Sequence, residues 1–153
     1  MRSNLLQVAC FVSIDRPQTP RRKEAIQLVL IFGGVYQGKL DYAIERFGSK
    51  ENDIFRCSNE DTVMPCGKSV IYELDKWVLS LVRADIDTDS AIRHFIENNC
   101  SAVVICNDIS CGIVPEDPVM RKWREATGRA VAELVRSSNE IIRLFCGIPT
   151  RIK

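Results

Sequence analysis

The chain has 153 residues, 46% apolar and 27% charged, a balance that excludes a disordered or low-complexity chain and is enough for one buried core. A formal net charge of +1 excludes the broad electrostatic field that draws nucleic acid or an anionic membrane surface, and "RRK" at Arg21 to Lys23 reads as a solvated turn. Seven cysteines without a C-x-x-C pair, beside a single histidine, His94, exclude a disulfide framework and a paired zinc site. They read as reduced core or loop thiols, and the cytoplasm is the expected location.

The first run, "MRSNLLQVACFVSI", places Arg2 before a short apolar stretch. Gln7 interrupts it, no small-residue cleavage site follows, and it is far shorter than the ~20 residues of a membrane span. Residues 1–26 are therefore expected to form an N-terminal extension, either an extra strand or a loosely attached leader, ahead of one domain over 27–153. No other segment is long enough to cross a bilayer.

From Leu28, "LVLIFGGVYQGKLDYAIERFG" predicts a strand, a glycine turn and a helix. Gly33, Gly38 and Lys39 satisfy G-x-x-x-x-G-K in the context that its mechanism requires. Glycines let backbone N–H groups curl around phosphate oxygens, the helix N-terminus adds a favourable dipole, and the lysine reaches the terminal phosphates. Gly33, Gly34, Val35, Tyr36, Gln37, Gly38, Lys39 and Leu40 are thus the nucleotide-binding candidates, for ATP or GTP. Leu40 stands where such loops carry the Ser or Thr that ligates Mg²⁺, which weakens the case for metal at this position, and no direct side-chain metal motif is present.

"DIFRC" from Asp53 and "SVIYEL" from Ser69 predict two more strands, the second ending in Glu73 and Asp75 near the sheet edge where ligands bind in α/β folds. Those carboxylates are candidates for orienting metal or substrate, or else solvated strand-end acids. "DKWVLSLVRA" from Asp75 and "TDSAIRHFIENN" over Thr88 to Asn99 predict helices, with His94 on a helix surface. "SAVVIC" from Ser101 predicts a buried strand followed by the long loop "CNDISCGIVPEDP". Asn107 and Asp108 at its start either form a turn or face the phosphate loop's crevice, with Asn107 orienting substrate and Asp108 joining Lys39 as a catalytic candidate.

Asp117 followed by Pro118 signals a helix start, and Val119, Trp123, Ala126, Ala130 and Leu134 predict one apolar face on a helix running to Ser137. "EIIRLFC" from Glu140 predicts a fifth strand. Several strands lack alternation, as in sheets covered on both faces. The expected fold is α/β, a P-loop nucleotide-binding domain with a mainly parallel sheet flanked by helices.

Two blocks, "LVLIFGGVYQGKLDYAIE" and "CNDISCGIVPEDPVMRKWREATGRAVAEL" through "CGIPTRIK", resemble the opening and closing regions of the bifunctional adenosylcobinamide kinase/adenosylcobinamide-phosphate guanylyltransferase family. In the second block Asn107, Gly112, Ile113, Val114, Pro115, Arg124, Gly128 and Arg129 match the family pattern, with Asp108 and Glu125 as conservative replacements. The resemblance implies phosphoryl transfer from a nucleoside triphosphate to the aminopropanol hydroxyl of a corrinoid, in cobalamin biosynthesis. It also implies a trimer with sites between subunits, and a guanylyl-transfer step through a histidine that becomes guanylylated. The segment "CSNEDTVMPCGK" is shorter than the family's and has no histidine, and His94 lies on a later helix, so the expectation is confined to the kinase step. The alternative is a catalytically silent nucleotide- or corrinoid-binding homologue.

Overall fold

The computed structural model describes residues 27–65 and 67–153. The expected extension over residues 1–26 lies outside the described residues. Strands β1 (Val29–Gly33), β2 (Ile54–Arg56), β3 (Val70–Tyr72), β4 (Val103–Asn107), β5 (Glu140–Phe145) and β6 (Ile148–Arg151) form one sheet in the order β2-β3-β4-β1-β5-β6. All neighbours pair in parallel except β5 and β6. The sixth strand has no counterpart among the runs predicted from sequence. Its four residues are exposed, so it carries no burial pattern to recognise, and it forms because Gly147, at φ 77, turns the chain back along β5.

The unbroken apolar strands have a direct cause. In β1 and just before it, Leu28 and Leu30 enter one core cluster while Val29 and Ile31 enter the other, and β4 divides likewise, Val104 and Cys106 against Val103 and Ile105. Period-two alternation is therefore present, but both faces are apolar because both are covered. Helices α2 (Leu74–Arg83), α3 (Thr88–Asn98) and α4 (Pro118–Ser137) cover the first face, and α1 (Lys39–Phe47) lies on the second.

Helix ends follow their local chemistry. The Asp117 carboxylate accepts from Val119 N–H at 2.9 Å with Pro118 in the first turn, and Asp87 accepts from Asp89 N–H at 3.2 Å to start α3. The predicted apolar face of α4 needs one correction. Ala126, Ala130 and Leu134 are buried and the partly covered Trp123 packs against the same core cluster, but Val119, in the first turn of α4, is exposed. Trp77 is a core residue, packed tilted against Phe95 at 5.8 Å. Cys57, Cys100, Cys106, Cys111 and Cys146 are free thiols. No described helix is long and apolar enough to cross a membrane.

Candidate phosphate-binding site

The glycine loop leaves the C-terminal end of the central strand. Gly33 is paired with Asn107 of β4 on one side and Leu144 of β5 on the other, and its carbonyl accepts the Asp108 N–H at 2.9 Å. The chain passes so close to β5 that a Cβ on Gly33 would sit 2.3 Å from the Leu144 carbonyl oxygen. Gly33→Ala is therefore expected to cost about 1–3 kcal/mol of stability by pushing β1 from β5. A urea melt checks it, and a midpoint equal to wild type would contradict it.

Beyond Gly33 the loop turns through two left-handed positions, Tyr36 at φ 59 and Gly38 at φ 76, and enters α1 at Lys39. Gln37 braces it from outside, its Oε1 accepting the Cys146 N–H at the β5–β6 turn. Sequence reasoning placed Gln37 in the loop but gave no sign of this partner, 109 residues away.

Lys39 is only 5% exposed, and its ammonium donates to the Gly34 carbonyl at 2.6 Å. Burial lowers its pKa from the ordinary lysine value, against which the Asp75 and Glu73 carboxylates pull upward. A desolvated cation whose hydrogen-bond partner is a neutral carbonyl gains most from a polyanion, and the start of α1 adds its dipole. Leu40 has no hydroxyl, and its side chain packs with Tyr42, Ile44 and Phe47 against the second core cluster. The sequence exchanges a metal ligand for a core contact.

The acids expected at a strand end separate into three environments. Asp75 belongs to the first turn of α2 rather than to β3, and is 4% exposed. Its Oδ1 accepts the Asn107 N–H at 3.1 Å, and the Asn107 side-chain amide donates to Oδ1 at 3.0 Å and to Oδ2 at 3.2 Å. This pair, with Asn107 itself buried, locks α2 to the end of β4 beside Lys39. Glu73, held left-handed at φ 61 just before α2, is ion-paired to Lys76 at 2.6 Å. Asp108 is the accessible one: Ser110 donates to its Oδ1 through N–H at 3.0 Å and through its hydroxyl at 2.5 Å, while Oδ2 holds no hydrogen bond among the described residues. Those bonds, helped by the Arg143 and Arg124 guanidiniums, keep its pKa below the usual carboxylate value.

The loop, Lys39, Asn107 and Asp108 are thus brought together at one sheet edge, with Asp75 behind them and Glu73 turned to Lys76. Among the described residues no three His, Cys, Asp or Glu side chains are grouped to hold a metal ion. His94 is elsewhere, on the exposed side of α3, where it lines a cavity of about 190 Å³ with Trp77 and Phe95. A residue that sequence reasoning did not single out for the site is Trp123, whose indole N–H donates to the Asp75 carbonyl at 2.7 Å and ties α4 to the start of α2.

The family model described as cobinamide kinase / cobinamide phosphate guanyltransferase matches residues 61–152, more than half of the chain. That stretch contains Glu73, Asp75, Asn107, Asp108 and α4 but not the glycine loop. The bifunctional adenosylcobalamin biosynthesis protein CobU of Escherichia coli (strain K12) is 25% identical over 107 aligned positions, covering 62% of this chain and 59% of that protein. Its namesake from Salmonella typhimurium (strain LT2) is 28% identical over 81 positions, covering 52% of this chain and 45% of that protein. The chain spans about half the length of these curated relatives.

Proposed function

The chain belongs to the cobinamide kinase / cobinamide phosphate guanyltransferase family, and from that premise we propose that it is a nucleoside-triphosphate-dependent cobinamide kinase of cobalamin biosynthesis. The observation that carries the proposal is the buried Lys39 at the mouth of the Gly33–Lys39 loop, beside the Asp75–Asn107 pair. Backbone N–H groups from Gly34 to Lys39 cradle the phosphates of ATP or GTP, and Lys39 stabilises charge on the transferring phosphoryl group. The bond from the terminal phosphorus to its bridging oxygen breaks, its electron pair leaving with the nucleoside diphosphate, while a bond to the acceptor hydroxyl oxygen forms and the hydroxyl proton passes to solvent late in the step. Asp108, held ionised and with Oδ2 open, accepts a hydrogen bond from that hydroxyl. A carboxylate of lowered pKa is a weak base, so Asp108 orients the nucleophile, which suffices where the transition state is loose.

Leu40 lies on the core and Asp75 is occupied by Asn107, and among the described residues no group of three acids, histidines or cysteines is arranged to hold Mg²⁺, so in this reading metal enters as part of the metal–nucleotide substrate. The guanylyl-transfer step is outside the proposal, because the single histidine, His94, lines a cavity with Trp77 and Phe95 that includes no residue of the glycine loop. Family likeness to a trimer, and placement in the cytoplasm, are part of the same reading.

Leu40 favours a second reading, a silent nucleotide or corrinoid binder. Incubating the purified protein with cobinamide and labelled ATP or GTP separates the two: phosphorylated corrinoid supports the kinase, and nucleotide binding without product at high protein concentration supports the silent binder. Leu40→Thr sharpens the comparison. It is expected to cost about 1 kcal/mol in stability and to make nucleotide affinity more dependent on Mg²⁺, measured by calorimetry with and without chelator.

A further inference from the structure

We infer that Arg124 is a positioning residue for the acceptor side of the site, holding the loop between β4 and α4 so that Ile113 and Val114 form an apolar ledge beside the phosphate cradle. The inference rests on the phosphoryl-transfer reading above. Residues 108–117 contain no helix or strand, and Ser110 to Val114 are all exposed, so burial does not hold them in place. Apart from the Asp108 N–H bond to the Gly33 carbonyl at its start, the loop's own ties are short-range: the Asp108–Ser110 turn and the Asp117 cap.

Past Asp108, the link to the body of the domain is guanidinium. Arg124 Nη1 donates to the Ile113 carbonyl at 3.1 Å, and Nη2 donates to the Gly112 carbonyl at 3.1 Å and to the Ser110 carbonyl. One turn earlier Arg121 donates to the carbonyls of Pro115 at 3.0 Å and Glu116 at 2.5 Å. A planar fork with five donors can gather several carbonyls at once, which a lysine ammonium does less well. The helix carrying both arginines is a firm base. Its Ala126, Ala130 and Leu134 are buried, and the neighbouring Trp123 is tied to Asp75. The same stretch of α4 therefore sets the loop and the start of α2.

The scaffold holds Ile113 out at 95% exposure and Val114 at 67%. Because the Asp108 N–H bonds to Gly33, the loop starts against the first glycine of the cradle. Phosphates are served by N–H groups and Lys39, and two aliphatic side chains offer them nothing. A large ring-bearing acceptor with apolar faces gains contact area from such a ledge.

The test uses the full chain with equilibrium binding of cobinamide, followed by its absorbance, and of GTP, followed by calorimetry. Hydrogen exchange of residues 108–117 is measured in parallel. Arg124→Ala is expected to weaken cobinamide binding about tenfold, the loss of charged hydrogen bonds felt through the loop, while GTP binding changes less than about twofold. Loop amides should exchange faster, Arg124→Lys should fall between, and added guanidinium should restore part of the loss. Ile113→Ser, at a side chain that packs on nothing, should weaken cobinamide without loosening the loop. Unchanged loop exchange in Arg124→Ala, or a looser loop with unchanged cobinamide affinity, overturns the inference. Failure of the wild-type protein to bind cobinamide instead sinks the kinase reading on which it rests.

Discussion

Replacing Lys39 with alanine should lower kcat/KM for phosphoryl transfer by about 10²- to 10³-fold, the range for removing one pre-set donor from a developing negative charge. The fold should survive, since only this side chain is lost from α1. The stability effect runs the other way from the activity effect. Lys39 is buried with a neutral carbonyl as its hydrogen-bond partner, so Lys39→Met, which keeps the aliphatic stem, should leave the nucleotide-free protein as stable as wild type or more so. The pH dependence gives a sharper check. Burial sets the Lys39 pKa below its unfolded value of 10.5, so between the folded and unfolded values the unfolded chain binds more protons and this group makes stability rise with pH. At lower pH the desolvation penalty is present in full; it is relieved as pH climbs through the folded pKa. The advantage of Lys39→Met over wild type in thermal melts should therefore shrink as pH is raised from about 7 to about 10. An advantage that grows with pH would mean that Lys39 is stabilised by its surroundings and not strained by them.

Asp75→Ala should be the most damaging substitution for stability among the site residues, by about 3 kcal/mol, the cost of leaving the buried Asn107 donors without their charged acceptor. Three hydrogen-bond contacts from Asn107 lose their acceptor in a place that water does not reach, and Lys39 loses the nearest compensation for its own burial. Asp75→Asn should cost less, because its Oδ1 can still accept the Asn107 N–H, although two amide NH₂ groups then compete. A double-mutant cycle with Asn107→Ala separates pair from background: the two changes should be far from additive. Additive losses in urea melts would show that Asp75 and Asn107 contribute independently and that the pair does not lock α2 to β4. Nucleotide affinity should fall in the same variants, since the lock sets the wall behind Lys39.

Much of this was legible in the residues. The strand, glycine turn and helix around Gly33 to Lys39 follow from local chemistry, because an apolar run, a tight turn through a left-handed glycine and a helix start depend on near neighbours along the chain. The helix start at Asp117 was equally local. What was read less well had long-range causes. Asp75 looked like a strand-end acid because "SVIYELD" is apolar up to the acids, yet β3 stops at Tyr72, and Glu73 turns the chain left-handed into α2. Val119 fitted the helical spacing, but spacing does not say where the core ends. The strand β6 is exposed throughout, and its pairing with β5 supplies the order that its own composition does not.

The sequence by itself determined the apolar strands of a sheet covered on both faces, the glycine turn after β1 and the family likeness, since each depends on residue type and near neighbours along the chain. Only the tertiary structure decided which acid does what. Asp75, Glu73 and Asp108 are chemically alike in one dimension, and they are separated by whether Asn107, Lys76 or Ser110 arrives beside them. It also decided that Leu40 faces the core and that Arg124 reaches the 108–117 loop, because both depend on how α1 and α4 lie against their neighbours.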